Sequence, residues 1–176
     1  MTDAGCEVVI FRPLSLLVVL GPFGFGKDNN RSHRRILVVD GRVGFTGGVG
    51  VSPSWTGNGR TKDHWRQTDV RIEGPVVASL QGAFVENWLE ATGTVLGGEA
   101  YFPRLAPHGT VTAQVVPGSP AEVNLVVYSP DVAARLERVF ADDLGYAKRI
   151  DPETWRYRGA WERVLEAFSL PVRREF

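Results

Sequence analysis

The chain is poor in several things, and each shortage removes a class of function. It has one cysteine, Cys6, in 176 residues. An intrachain disulfide and a cysteine zinc cluster are therefore excluded. It has three histidines, His33, His64 and His108, at no standard metal-ligand spacing. It has no charge of one sign to spare, with 20 Lys+Arg against 20 Asp+Glu. A global electrostatic attraction to nucleic acid or to an anionic membrane is thus absent. It has no long hydrophobic run. The longest, Leu14 to Leu20, holds seven residues including Ser15, far short of the roughly 20 of a spanning helix. Its N-terminus lacks the basic, apolar and cleavage parts of a signal peptide. The expectation is a cytoplasmic protein without a transmembrane segment, at most peripheral to a membrane.

What is present suits a folded domain. Hydrophobic residues make up 43% and charged residues 23%, a globular balance. The neutral total hides a local excess. Residues 1–74 carry ten basic and seven acidic side chains. The basic ones cluster at Lys27, Arg31, Arg34, Arg35 and Arg42. Such a cluster beside a histidine suits an anionic substrate; the alternative is a solvated loop face.

Glu7 to Phe11 reads as a short strand interrupted by Pro13, and residues 21–30 as loop. Ile36–Val39 and Val43–Thr46 read as a hairpin around the Asp40-Gly41 turn. Gln67 to Glu73 alternates with strand period. Pro75 suits a first helical turn, and Val76, Leu80, Ala83, Phe84 and Trp88 share one stripe of a helix ending near Gly93. Val111–Val116 and Val123–Tyr128 read as strands. Ser129-Pro130-Asp131 starts a helix with Val132, Leu136, Val139, Phe140 and Leu144 on one face, and Asp151-Pro152-Glu153 repeats the cap. A last helix presents Trp161, Val164, Leu165 and Phe168; Trp88 and Trp161 read as core, while Trp55 and Trp65 lie by a polar loop. Interleaved strands and helices predict an α/β fold, a mixed sheet with helices packed against it.

One constellation carries chemistry. His33, Arg35 and Asp40 stand in the spacing H-x-R-x4-D. In an extended strand His33 and Arg35 share a face. An imidazole and a guanidinium two residues apart can meet one anion, the first as nucleophile and the second as charge clamp. Asp40 has the other parity and lies about 20 Å along an ideal strand from His33. It therefore suits a turn or a basic partner. The alternative is a strand-edge histidine with ordinary salt bridges.

The run Asn30-Arg31-Ser32-His33-Arg34-Arg35-Ile36-Leu37-Val38-Val39-Asp40-Gly41, continuing to Gly47-Gly48, resembles the first active-site motif of bacterial cardiolipin synthases. These belong to the phospholipase D superfamily, whose signature is H-x-K-x4-D. The likeness extends upstream to Phe11-Arg12-Pro13 and downstream to Trp65–Pro75, Leu80–Phe84 and Asn87-Trp88. It implies a phospholipase D-like layered fold and a phosphodiesterase or phosphatidyl transferase working through a phosphohistidine. It also implies a phospholipid or other phosphodiester substrate, with neither cofactor nor metal. His33, Arg35 and Asp40 are then the catalytic set. Asn30, Arg31, Gly47, Gly48, Asp69 and Glu122 are supporting or substrate-contacting residues.

Three departures matter. The motif lysine is Arg35, a fork in place of a compact ammonium. The family's Trp-Arg-Asp-Thr-His is here Trp65-Arg66-Gln67-Thr68-Asp69. No second histidine motif exists: after His64 and His108 the required positions do not match. Glu122 to Ala133 resembles the segment after the second motif of full-length members, so residues 1–120 read as part of a first half and 121–176 as the end of a second. The expectation is an internally shortened relative. Three outcomes compete: a homodimer in which His33 from each copy completes one site, an inactive phosphate- or headgroup-binding domain, and a poorly folding remnant. A dimeric nuclease is the opposing class, with nucleic acid the less favoured substrate. The C-terminal Arg173 and Arg174 give slight grounds for contact with an anionic membrane.

Overall fold

The computed structural model describes residues 2–12, 32–118 and 122–157, together with residues 159, 161 and 164. The chain divides into two compact units, Met1–Ser129 and Pro130–Phe176. Within the described residues the fold is α/β, built from small antiparallel sheets flanked by helices.

In the first unit, β1 (Ile36–Val39), β2 (Val43–Thr46) and β3 (Val70–Glu73) form an antiparallel sheet in the order β1-β2-β3. The β1–β2 hairpin forms as expected, pairing Val39 with Val43 and Ile36 with Thr46. Its turn explains the Asp-Gly pair. Asp40 and Gly41 have φ of 52° and 66°, and Arg42 N donates to Val39 O at 2.9 Å. Positive φ at both central residues is what a primed hairpin turn requires. A Cβ on Gly41 would also come 2.6 Å from Tyr101 O. β3 is shorter than the Gln67–Glu73 run, and its alternation holds: Val70 and Ile72 turn inward and Arg71 outward.

The helix α1 (Val76–Thr92) packs on this sheet. Pro75 stands at its N-cap, and Gly93 ends it in the left-handed region with φ of 72°, its N donating to Leu89 O at 2.8 Å. β4 (Thr112–Pro117) and β5 (Val123–Tyr128) form a second antiparallel pair, with Val115 opposite Leu125. The core lies between α1 and the sheets: Ile72, Val77, Leu80 and Val115, lined by Ile36, Val38, Val70, Leu105, Val123 and Leu125. Full burial of an aliphatic side chain such as Leu80 contributes roughly 1.5–3 kcal/mol. Gly44 lets the helix approach: a Cβ there would lie 2.8 Å from Leu80 Cδ2 and 2.9 Å from Ile72 Cγ1.

In the second unit, α2 (Pro130–Leu144) and α3 (Pro152–Arg156) follow the two expected starts. The second cap forms, with Glu153 N donating to Asp151 Oδ1 at 3.1 Å. The apolar stripe of α2 holds no buried residue; Leu136, Phe140 and Leu144 are all exposed.

Four expectations need correction. The sheets are antiparallel, not mixed, because the paired strands are sequential neighbours and short connections favour antiparallel pairing. Glu7–Phe11 forms no strand; its residues pair with no ladder. The buried stripe of α1 is Val77, Leu80, Gln81 and Ala83, whereas Phe84 is exposed. Leu80 and Ala83 are buried as expected, and Val77 and Gln81 join them where Val76 and Phe84 were expected. Trp161 is exposed, not core. The loop assigned to residues 21–30, Pro13, Leu165, Phe168 and the C-terminal Arg173 and Arg174 lie outside the described residues.

Candidate functional site

Alternation begins before the hairpin. From Ser32 to Val39 every second residue is exposed: His33, Arg35, Leu37 and Val39 point outward. Ser32, Arg34, Ile36 and Val38 point inward. The extended segment thus puts His33 and Arg35 on one face, as the spacing predicts.

Arg34 holds that segment in place. Its side chain is only 3% exposed. Nη1 donates to Ala83 O at 2.6 Å, to Glu86 Oε2 at 2.9 Å and to Asn87 Oδ1 at 3.4 Å. Nε donates to Glu122 O at 3.1 Å. Asn87 Nδ2 adds a bond to Ser32 Oγ at 3.0 Å. A buried cation is tolerable because its Nε and Nη1 donors find acceptors in this way. Sequence reading passed over Arg34 as one member of a basic cluster. Its parity was the available signal, since a charge on the core side of a strand must find partners.

His33 and Arg35 line an open cavity of about 410 Å³. Gly47, Gly48, Gln67, Thr68 and the β5 residues Val123, Asn124 and Leu125 also line it. Among the described residues neither His33 nor Arg35 has a hydrogen bond or an ion pair. Arg35 instead sits over the Trp55 ring, its Cζ 5.5 Å from the centroid. The glycines let two side chains lie across the backbone. A Cβ on Gly48 would come 2.6 Å from Gln67 Cδ, and one on Gly47 would overlap the Asp69 carboxylate.

The other candidates fall elsewhere. Asp69 Oδ1 accepts from Val49 N at 3.4 Å. Asp69 lines a second cavity, of about 420 Å³, together with Arg35 but without His33. Asp40 orders the hairpin turn at the far end of β1 and lines a third cavity with Gly41, Gln81 and Tyr101. Glu122 is exposed, and what reaches the site is its carbonyl, through Arg34. Asn30 and Arg31 lie outside the described residues. The other histidines are occupied away from His33. His64 Nδ1 shares a hydrogen bond of 2.6 Å with Thr61 Oγ1, and His108 Nε2 lies 3.5 Å from Glu73 Oε2. No group of three His, Cys, Asp or Glu side chains among the described residues is placed to hold a metal ion. No described helix is long and apolar enough to cross a membrane.

Comparison with known proteins agrees with the motif. The chain is 35% identical to the cardiolipin synthase of Geobacillus sp. (strain WCH70) over 122 residues, 68% of this chain and 23% of that protein. It is 38% identical to cardiolipin synthase 1 of Bacillus cereus over 92 residues, 52% of this chain and 17% of that protein. It is likewise 38% identical to cardiolipin synthase 2 of Staphylococcus epidermidis over 96 residues, 53% of this chain and 20% of that protein. No family model matches the chain, and no solved structure matches it. The chain covers about a fifth of the length of these relatives. By descent it is a homologue of part of the bacterial cardiolipin synthases and shares the phospholipase D lineage of phosphodiesterases and transferases.

Proposed function

We propose that the chain carries a phospholipase D-type phosphodiester site, acting as a phosphodiesterase or phosphatidyl transferase with His33 as nucleophile. The observation that carries this reading is the pairing of His33 and Arg35 on one cavity wall, neither taken up by a protein acid among the described residues. A ring nitrogen of His33 attacks phosphorus, and the N–P bond forms as the P–O bond to the leaving alcohol breaks. Water or a second alcohol then attacks the phosphohistidine and restores the imidazole. Arg35 balances charge on the non-bridging oxygens. Asp40 supports the motif through its turn. Asn30, Arg31, Asp69 and Glu122 are supporting residues. The substrate class is a phospholipid, with phosphatidylglycerol first.

One observation favours a second reading, phosphate binding without turnover. The leaving alkoxide needs a proton, and His33 is the one histidine on the cavity wall among the described residues. A second copy of the chain contributing its own His33 would supply that acid.

The test is turnover of bis-p-nitrophenyl phosphate and of phosphatidylglycerol by the purified chain, with light scattering in the same buffer and His33→Ala as control. Turnover that vanishes in the variant supports the enzyme reading, and its confinement to a dimer identifies a shared site. A folded wild type that matches the variant on both substrates overturns the enzyme reading in favour of binding alone. Cleavage of DNA without headgroup selectivity would move the assignment to a nuclease.

A further inference from the structure

We propose that Trp55 is a positioning residue for Arg35, and that the two form an aromatic-backed cation recognising the unesterified oxygens of a phosphate group. This rests on the phosphodiester reading above and adds to it the element that orients the charge.

Among the described residues no carboxylate pairs with Arg35, although Asp69 lines the same 420 Å³ cavity. The Asp69 carboxylate is directed to Val49 N instead. What holds the guanidinium is a ring face at 5.5 Å, inside the roughly 6 Å reach of a cation–π contact. A carboxylate in that place would neutralise the charge and occupy the fork. A ring face restrains the plane and leaves the N–H edge for a ligand.

Trp55 is fixed by contacts independent of Arg35. It closes a single 3-10 turn, Pro53–Trp55, whose start is capped by Ser52: Ser54 N donates to Ser52 Oγ at 3.4 Å and Trp55 N to Ser52 O at 3.0 Å. Trp65 meets it edge-on, with centroids 5.0 Å apart and planes at 79°. Trp65 N also donates to Ser54 O at 2.7 Å. The backbone of Gly50 passes close to the indole, and a Cβ there would lie 2.8 Å from Trp55 Nε1. The platform is thus held by contacts that do not involve Arg35. A flat guanidinium matches the ring face, and the compact ammonium of a lysine matches it less well. Arg35 and Trp55 thus act as one unit.

The experiment is calorimetric titration of the purified full chain with inorganic phosphate and, separately, with a short-chain phosphatidylglycerol below its micelle concentration. Phosphate binding alone marks a free-phosphate site; tighter binding of the lipid marks a headgroup site. Either is compatible with the proposal. The variants are Trp55→Ala, Trp55→Phe, Arg35→Lys and the double variant Trp55→Ala/Arg35→Lys. Trp55→Ala should weaken binding about five-fold, and Trp55→Phe should restore it to within about two-fold of wild type. The double variant should bind no more weakly than Arg35→Lys, because the two changes remove one unit. Ligand should shift tryptophan emission in wild type and not in Arg35→Lys.

If Trp55→Ala alters the urea midpoint, Trp55→Leu replaces it, keeping apolar bulk without a π face, and the five-fold loss is expected again. Unweakened binding in these variants, or full additivity in the double variant, overturns the proposal while leaving the phosphodiester site intact. A wild type that binds neither ligand overturns both.

Discussion

The two faces of the segment Ser32–Val39 do opposite things with the same residue type. Inward, Arg34 is buried and hydrogen-bonded to one helix and to the residue before β5. Outward, Arg35 is exposed and rests on an indole ring. Inward, Ile36 and Val38 join the core; outward, Leu37 and Val39 meet solvent. One face commits its polar groups to the fold, and the other leaves His33 and Arg35 on the wall of an open cavity. Adjacent arginines are thus not interchangeable, and parity decides between them.

That contrast can be broken in graded steps. Arg34→Met should cost the most, about 3 kcal/mol of unfolding free energy in a urea titration, because several charge-assisted hydrogen bonds go at once. It should also weaken phosphate binding, although Arg34 itself is not in the cavity. Gly44→Ala should cost about 2 kcal/mol, since the added methyl meets Leu80 and Ile72 at under 3 Å. Leu37→Ser on the outward face should stay within about 0.5 kcal/mol of wild type in the same titration. His33→Ala should leave the urea midpoint smallest of all in its change, while abolishing any turnover. A large stability loss from either outward substitution would show that this face is packed in solution.

Much of this was legible in the residues. The hairpin follows from two short apolar runs around Asp-Gly, and both limits of α1 follow from Pro75 and Gly93. The common face of His33 and Arg35 follows from parity alone. What was not legible depended on contacts distant in sequence. In the helix stripe Leu80 and Ala83 are buried as expected, but Phe84 is exposed and stacks with the half-buried Trp88 at 5.9 Å, while Val77 and Gln81 take the buried positions instead. Trp55 could be placed near the pocket, but its position under Arg35 depends on how the loop from Gly48 to Asp69 closes, and no local period encodes that. The hydrogen bond from Val49 N to Asp69 Oδ1 likewise depends on how that loop passes Gly47, which leaves room for the carboxylate.

The Arg34 fork also bears on the order of folding. Its partners lie 49, 52 and 53 residues ahead on α1 and 88 residues ahead at Glu122. Contacts of such separation carry a loop-closure cost that local hairpins and helices do not. During synthesis the hairpin and α1 can form early, but the anchor beside His33 stays incomplete until Glu122 has left the ribosome. The segment that bears His33 is therefore translated well before it is locked.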